Sequence, residues 1–170
     1  MAVQDWASPD KQAVKRGLKG FLQDVETGGF HMDMPVDKTG LSRPIRNNNP
    51  GNLKPPDEAT GRRWWGKHGF VGLDEDGFAI FDDKIGGNAA LKQQVLSDQK
   101  RDQTQEEFIN KYVGATADPE GTANAQRNIP AVTGASPDTS LTDIDPDVLV
   151  RAITQSEGGK DSLDFFALDR

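Results

Sequence analysis

The run Arg43-Pro44-Ile45-Arg46-Asn47-Asn48-Asn49-Pro50-Gly51-Asn52-Leu53 constrains this chain more than any other stretch. Three consecutive Asn followed by Pro-Gly-Asn suit neither a regular helix nor a strand. Asn tolerates left-handed backbone and hydrogen-bonds its own main chain, Pro50 fixes φ, and Gly51 supplies positive φ where a turn needs it. The expectation is a tight loop braced by its own side chains and dense in amide donors and acceptors. Amides suit a neutral ligand rich in hydroxyl and acetamido groups, such as a sugar chain; phosphate recognition would call for Lys, Arg or a helix N-terminus. The alternative is a cluster of Asx turns with a structural role alone.

Local signals place helices around this loop. Ser8-Pro9-Asp10 is a helix start with Pro at the first helical position, followed by Val14, Leu18, Phe21, Leu22 and Val25 at helical spacing and a stop at Gly28-Gly29. Residues 30–56 read as a long loop, whose length argues for function or mobility. Phe70–Leu73 and Phe78–Phe81, joined by Asp74-Glu75-Asp76-Gly77, read as a β-hairpin. A helix is expected over about 88–100. Thr104-x-x-Glu107 is a capping box that opens another, running through Tyr112 and Val113. Residues 114–142 read as loop with one short helix near 122–129. Asp145-Pro146 starts a last helix that stops at Gly158-Gly159. The fold class is α+β, mostly helical with one small β-hairpin, in a single domain over 1–170 with 1–8 and 114–142 partly irregular.

Composition narrows the function. There are no cysteines and only two histidines, His31 and His68, so thiolate chemistry, thiolate zinc sites and His-based triads lose their basis. The formal net charge of −7 disfavours nucleic-acid binding. No apolar run of about 18 residues exists, so membrane insertion is not expected. The N-terminus lacks a basic-then-apolar signal peptide.

The string RNNNPGNL resembles the signature loop of a phage-type, lysozyme-like family of peptidoglycan hydrolases related to lytic transglycosylases. Several later pieces are similar to the family's order of elements: Trp65-Gly66, Gly77-Phe78-Ala79-Ile80-Phe81, Gly86-Gly87-Asn88-Ala89-Ala90-Leu91, and Thr104 through Tyr112. Together they cover roughly residues 20–158. The resemblance implies a lysozyme-like fold that cuts the β-1,4 bond between N-acetylmuramic acid and N-acetylglucosamine without metal or organic cofactor. It also implies peptidoglycan glycan strands and other virion or delivery-machine proteins as partners. The place of action would be the host periplasm or cell wall, reached from a virion.

Such an enzyme needs a carboxylic acid to protonate the leaving oxygen, set at the end of a buried helix. Two glutamates answer. Glu26-Thr27-Gly28-Gly29 resembles the Glu-Ser-Gly-Gly of lytic transglycosylases, and Glu26 follows Leu22 by one turn. Glu157, one turn after Ile153 and followed by Gly158-Gly159, is the alternative; some family members carry the Asn loop at the N-terminus and their one comparable Glu near the C-terminus. Glu26 is the first choice. Asp33, Asp37 and Asp57 are available as a second carboxylate, with no motif marking any of them. The family likeness favours attack by the sugar's own C6 hydroxyl, giving a 1,6-anhydro product. The resemblance makes Asn47, Asn48, Asn49 and Asn52 sugar-contacting residues, with Trp65 and Phe78 as stacking surfaces and Tyr112 at the cleft. Of the adjacent Trp64 and Trp65, one is expected in the core and the other in the cleft. The rivals are a non-catalytic virion structural or wall-binding module, and a partner-binding module whose acidic surface docks basic proteins.

Overall fold

The computed structural model describes residues 40–114 and 119–167. The chain divides at Gly40, a boundary the sequence reading did not draw, and the described elements belong to the unit Leu41–Arg170. The expected first helix, Glu26, Asp33 and Asp37 lie outside the described residues. The described part is mostly helical with a single two-stranded antiparallel hairpin, an α+β arrangement.

The Asn run begins as a short helix, α1 (Arg43–Arg46), inside what the sequence suggested was continuous loop. Asn48 and Asn52 then take left-handed backbone, with φ of 51° and 45°. Helix α2 (Glu58–Trp65) follows, capped by Asp57, whose carboxylate accepts from Thr60 N at 2.7 Å. This helix was not anticipated. Gly61 weakens it on propensity grounds, yet a Cβ there would lie 2.5 Å from the Phe70 ring. The glycine is therefore required by packing.

Strands β1 (Phe70–Leu73) and β2 (Ala79–Phe81) pair with Phe70 opposite Phe81 and Leu73 opposite Ala79. The Asn loop runs along the outer edge of β2: Phe81 N donates to Asn47 O at 2.9 Å and Ala79 N to Leu53 O at 2.8 Å. The loop thus behaves as a third, irregular strand, which a two-stranded ribbon needs for stability.

Helix α3 (Lys84–Gln99) starts earlier than expected, with Asp83 as its N-cap. Its Gly87 sits against the loop: a Cβ there would lie 1.7 Å from Asn48 O. Helix α4 (Gln105–Gly114) opens on the expected capping box. Thr104 N donates to Glu107 Oε2 at 2.9 Å, and Glu107 N to Thr104 Oγ1 at 3.2 Å. Helix α5 (Pro119–Thr133) extends the short helix expected near 122–129 at both ends, burying Ala125 and Ile129 and packing along α6. Helix α6 (Pro146–Phe166) starts at Asp145, which caps the N–H groups of Asp147 and Val148. It does not stop at Gly158-Gly159. It breaks there, with Gly159 at φ 64° and ψ −157°, and resumes to Phe166.

The core gathers Trp65, Phe70 and Phe81 from the hairpin side, with ring centroids 6.2–6.5 Å apart, onto Leu91 and Val95 of α3, Phe108 of α4, Ile129 of α5 and Leu149 and Ile153 of α6. Burial of side chains of this size stabilises by about 1.5–3 kcal/mol each before conformational entropy is counted.

Candidate functional site

A cleft of about 690 Å3 opens where the Asn loop, α2, α3, α4 and α6 converge. Its lining includes Asn52, Trp64, Phe78, Tyr112 and Glu157. The central contact joins chain positions 105 apart: Asn52 Nδ2 donates to Glu157 Oε2 at 2.7 Å. Three features of the sequence produce it. The left-handed turn at Asn52 swings its side chain off the loop. The apolar stripe Leu149, Ala152, Ile153 anchors α6 in the core and brings the next turn, with Glu157, to the cleft wall. Gly158 then allows the close approach of the following segment, since a Cβ there would meet Ser162 Oγ at 1.7 Å and Pro44 Cγ at 3.4 Å. Asn52 Oδ1 is buried without a hydrogen-bond partner among the described residues. Buried polar atoms left unsatisfied are few in native proteins; Arg43 Nε and Ser162 Oγ share this state among the described residues.

Tyr112 stands opposite. Its hydroxyl donates to Gly51 O, tying α4 to the Asn loop. Burial pushes its phenol well above the usual range, and the negative charges of Glu157 and Asp98 push it further. Tyr112 is therefore a neutral donor at any physiological pH.

The other loop amides turn inward, which corrects the expectation that they contact sugar. Asn47 Nδ2 donates to Asp74 Oδ2 at 2.7 Å. Asn48 Nδ2 donates to Phe81 O at 3.0 Å and Asp82 O at 3.2 Å. Asn49, fully buried, donates to Ala79 O and Leu53 O and accepts from Leu53 N. None of the three lines the cleft. The physical reason is the unpaired edge of β2 and the loop's own main chain, whose polar groups must be satisfied once buried. The aromatic assignments shift as well. Trp65 is 2% exposed and belongs to the core, whereas Trp64 on the same wall is 42% exposed. Phe78 lines the cleft, but Arg43 and Lys54 lie over its ring, 4.2 and 4.9 Å from the centroid, so its face is occupied by cations.

Asp74 links the hairpin turn to this loop. Its carboxylate accepts from Asp76 N, Phe78 N and Asn47 Nδ2 and lies 3.6 Å from Arg43 Nε. Burial alone would raise its pKa; the hydrogen bonds and the Arg43 charge outweigh that and hold it below the ordinary carboxylate range. Asp57, the one described candidate for a second carboxylate, is engaged as the α2 cap, and the Thr60 N–H holds its pKa low.

Sequence reasoning missed Asp98, at the end of α3. It is 4% exposed, lines the cleft, and accepts from Arg101 Nη1 at 2.7 Å, Lys111 Nζ at 3.3 Å and Gln94 Nε2 at 2.8 Å. No short motif marks it; an acid near a helix C-terminus, where the helix dipole disfavours it, was the one available signal.

Among the described residues, no group of three or more His, Asp or Glu side chains is placed to hold a metal ion, and no helix is long and apolar enough to cross a membrane. No protein-family model matches the chain, and no curated protein matches it.

Proposed function

We propose that this chain is a peptidoglycan-cleaving glycosidase of lysozyme or lytic-transglycosylase type, with a lysozyme-like fold and Glu157 as the acid. The observation that carries the reading is the Asn52–Glu157 hydrogen bond. It joins the signature loop to the alternative glutamate, at the wall of a large cleft lined by both. The glutamate preferred from sequence, Glu26, lies outside the described residues, and the case for Glu157 rests on its own surroundings.

In this reading Asn52 fixes the carboxyl's orientation. An N–H already on Oε2 assigns the acid's proton to Oε1. Oε1 gives that proton to the glycosidic oxygen between N-acetylmuramic acid and N-acetylglucosamine as the C1–O bond breaks. The resulting carboxylate then takes the proton of the muramoyl C6 hydroxyl as that oxygen closes on C1, which regenerates the acid and releases a 1,6-anhydro end. Asp98 supports this one-acid route. Both of its oxygens are engaged, Oδ1 by two cations and Oδ2 by Gln94, so it is poorly suited to activate water. Trp64 offers the exposed ring for sugar stacking. Delivery by a phage particle rests on the resemblance alone.

The test is clearing of purified peptidoglycan with mass spectrometry of the products. The wild-type chain should clear it and leave 1,6-anhydromuramoyl ends. Glu157→Gln should lower the rate by about 100-fold or more, the usual contribution of a general acid. Clearing by Glu157→Gln at the wild-type rate would refute the assignment; loss in Glu26→Gln instead would move the acid to Glu26. Glycan binding without any cleavage by the wild type would favour the non-catalytic wall-binding module.

A further inference from the structure

The cleft is cationic in an acidic protein. Among the described residues, Arg43, Lys54, Arg101 and Lys111 line it against two acids, Asp98 and Glu157, although the chain's formal net charge is −7. The four cations are not alike. Arg43 is engaged by Asp74 and Asp76. Arg101 and Lys111 instead share one oxygen of the buried Asp98, while Gln94 takes the other. Two cations on a single carboxylate leave one positive charge over. Each directs one donor at Asp98, whereas a guanidinium carries five and an ammonium three. Both side chains remain about half exposed, at 48% and 52%, and both line the cleft.

We propose that Arg101 and Lys111, held in place by Asp98, form a subsite for the carboxylates of a peptide-substituted glycan strand, so that the cleft prefers strands bearing stem peptides to bare polysaccharide. This rests on the glycosidase reading, whose substrate carries such peptides on the lactyl group of its muramic acid residues. The physical case is a matter of desolvation. Asp98 is too buried to be solvated by water, so it needs a counter-charge; one cation suffices for that, and the second is left to meet an incoming anion. The pairing also removes rotamer freedom from two long side chains before the substrate arrives, which lowers the ordering cost of binding. Asp98 is thus a positioning residue, and Arg101 and Lys111 are the groups that touch the ligand.

Binding should be measured separately from cleavage. The probes are a peptide-bearing glycan fragment and a chitooligosaccharide of the same length, which carries no carboxylate, followed by tryptophan fluorescence at low and high salt. Wild-type protein should bind the peptide-bearing fragment about tenfold or more tighter, the contribution of one charge-assisted hydrogen bond. High salt should shrink that preference. The Arg101→Gln/Lys111→Gln double variant should lose it, the charge-keeping Arg101→Lys/Lys111→Arg variant should retain most of it, and Asp98→Asn should weaken it. Equal affinity of the wild type for both fragments, or no binding of either, overturns the proposal. So does a preference that survives the double glutamine variant. Cleavage without peptide preference overturns this inference and leaves the enzyme assignment standing; preference without cleavage does the reverse.

Discussion

Asn49 provides the sharpest test of how the loop is held. Its side chain makes three hydrogen bonds from a fully buried position: Nδ2 to Ala79 O at 2.9 Å and to Leu53 O at 3.1 Å, and Leu53 N to Oδ1 at 2.8 Å. Asn49→Ala removes all three. Leu53 O keeps a bond from Ala79 N, so its loss is partial. Leu53 N is stranded, at about 1–3 kcal/mol for a buried unsatisfied donor, and each of the other bonds contributes about 0.5–1.5 kcal/mol. Allowing for relaxation, the variant should be about 2–4 kcal/mol less stable, a large share of the about 5–15 kcal/mol typical of a domain. Asn49→Asp should cost at least as much near neutral pH, because a carboxylate oxygen would face two carbonyl oxygens. Part of that loss should return in mild acid, where the protonated carboxyl of the variant can donate once. The assay is urea denaturation followed by tryptophan fluorescence, with the change read in the midpoint at constant slope. A loss below about 0.5 kcal/mol, within the range of ordinary surface substitutions, would refute the reasoning, and accompanied by weaker glycan binding it would return Asn49 to the sugar-contacting role.

Gly87→Ala should destabilise by about 1–3 kcal/mol or more, since its Cβ would lie 1.7 Å from the Asn48 carbonyl oxygen and a backbone atom cannot step aside; a melting temperature equal to wild type would contradict that close approach. Tyr112 is the one tyrosine in the chain, so near-ultraviolet absorbance titration isolates it. Its ionisation should begin well above the ordinary value of 10.0. Because the folded pKa is raised, its contribution to stability is complete below the unfolded pKa and is lost as pH climbs towards the folded one; titration near the ordinary value in the native protein would count against its burial beside Glu157 and Asp98. For Asp74 the sign is opposite. Its folded pKa is lowered, so its contribution is present above the unfolded pKa and disappears as pH falls through the folded one. Asp74→Ala should therefore be less stable than wild type at neutral pH, with the gap closing in acid; an acid-unfolding curve that keeps the two parallel would show the carboxylate to be unimportant.

Much of the fold was legible because its signals are local. The Thr104–Glu107 box, the Asp145-Pro146 helix start and the hairpin around Asp74–Gly77 each encode their structure within four or five residues, and all three form. Helix α2 was hidden by the prolines before Asp57 and by Gly61, whose reason is the Phe70 ring. Helix α5 runs past the breakers Gly121 and Pro130, beyond the expected 122–129; it is supported by the burial of Ala125 and Ile129. That support comes from α6 and cannot be read within the segment. The same distinction divides the site. That the Asn run makes a braced loop follows from residue type. Which amides face inward depends on β2 carbonyls about thirty residues away, so Asn47, Asn48 and Asn49 could not be separated from Asn52 by inspection. Glu157 was visible through its place after Ile153. Asp98 was not, because its meaning lies in Arg101 and Lys111, and Lys111 belongs to another helix.

The bond between Asn52 and Glu157 also bears on when this wall of the cleft is completed. Its two halves are made far apart in time during synthesis, and they meet once the final helix has settled against the first short one. A nascent or truncated chain lacking that helix would display the loop with nothing for Asn52 to grip. The pairing would therefore form late, with the docking of a single helix, and on the proposed glycosidase reading a chain caught before that moment would not yet cleave glycan.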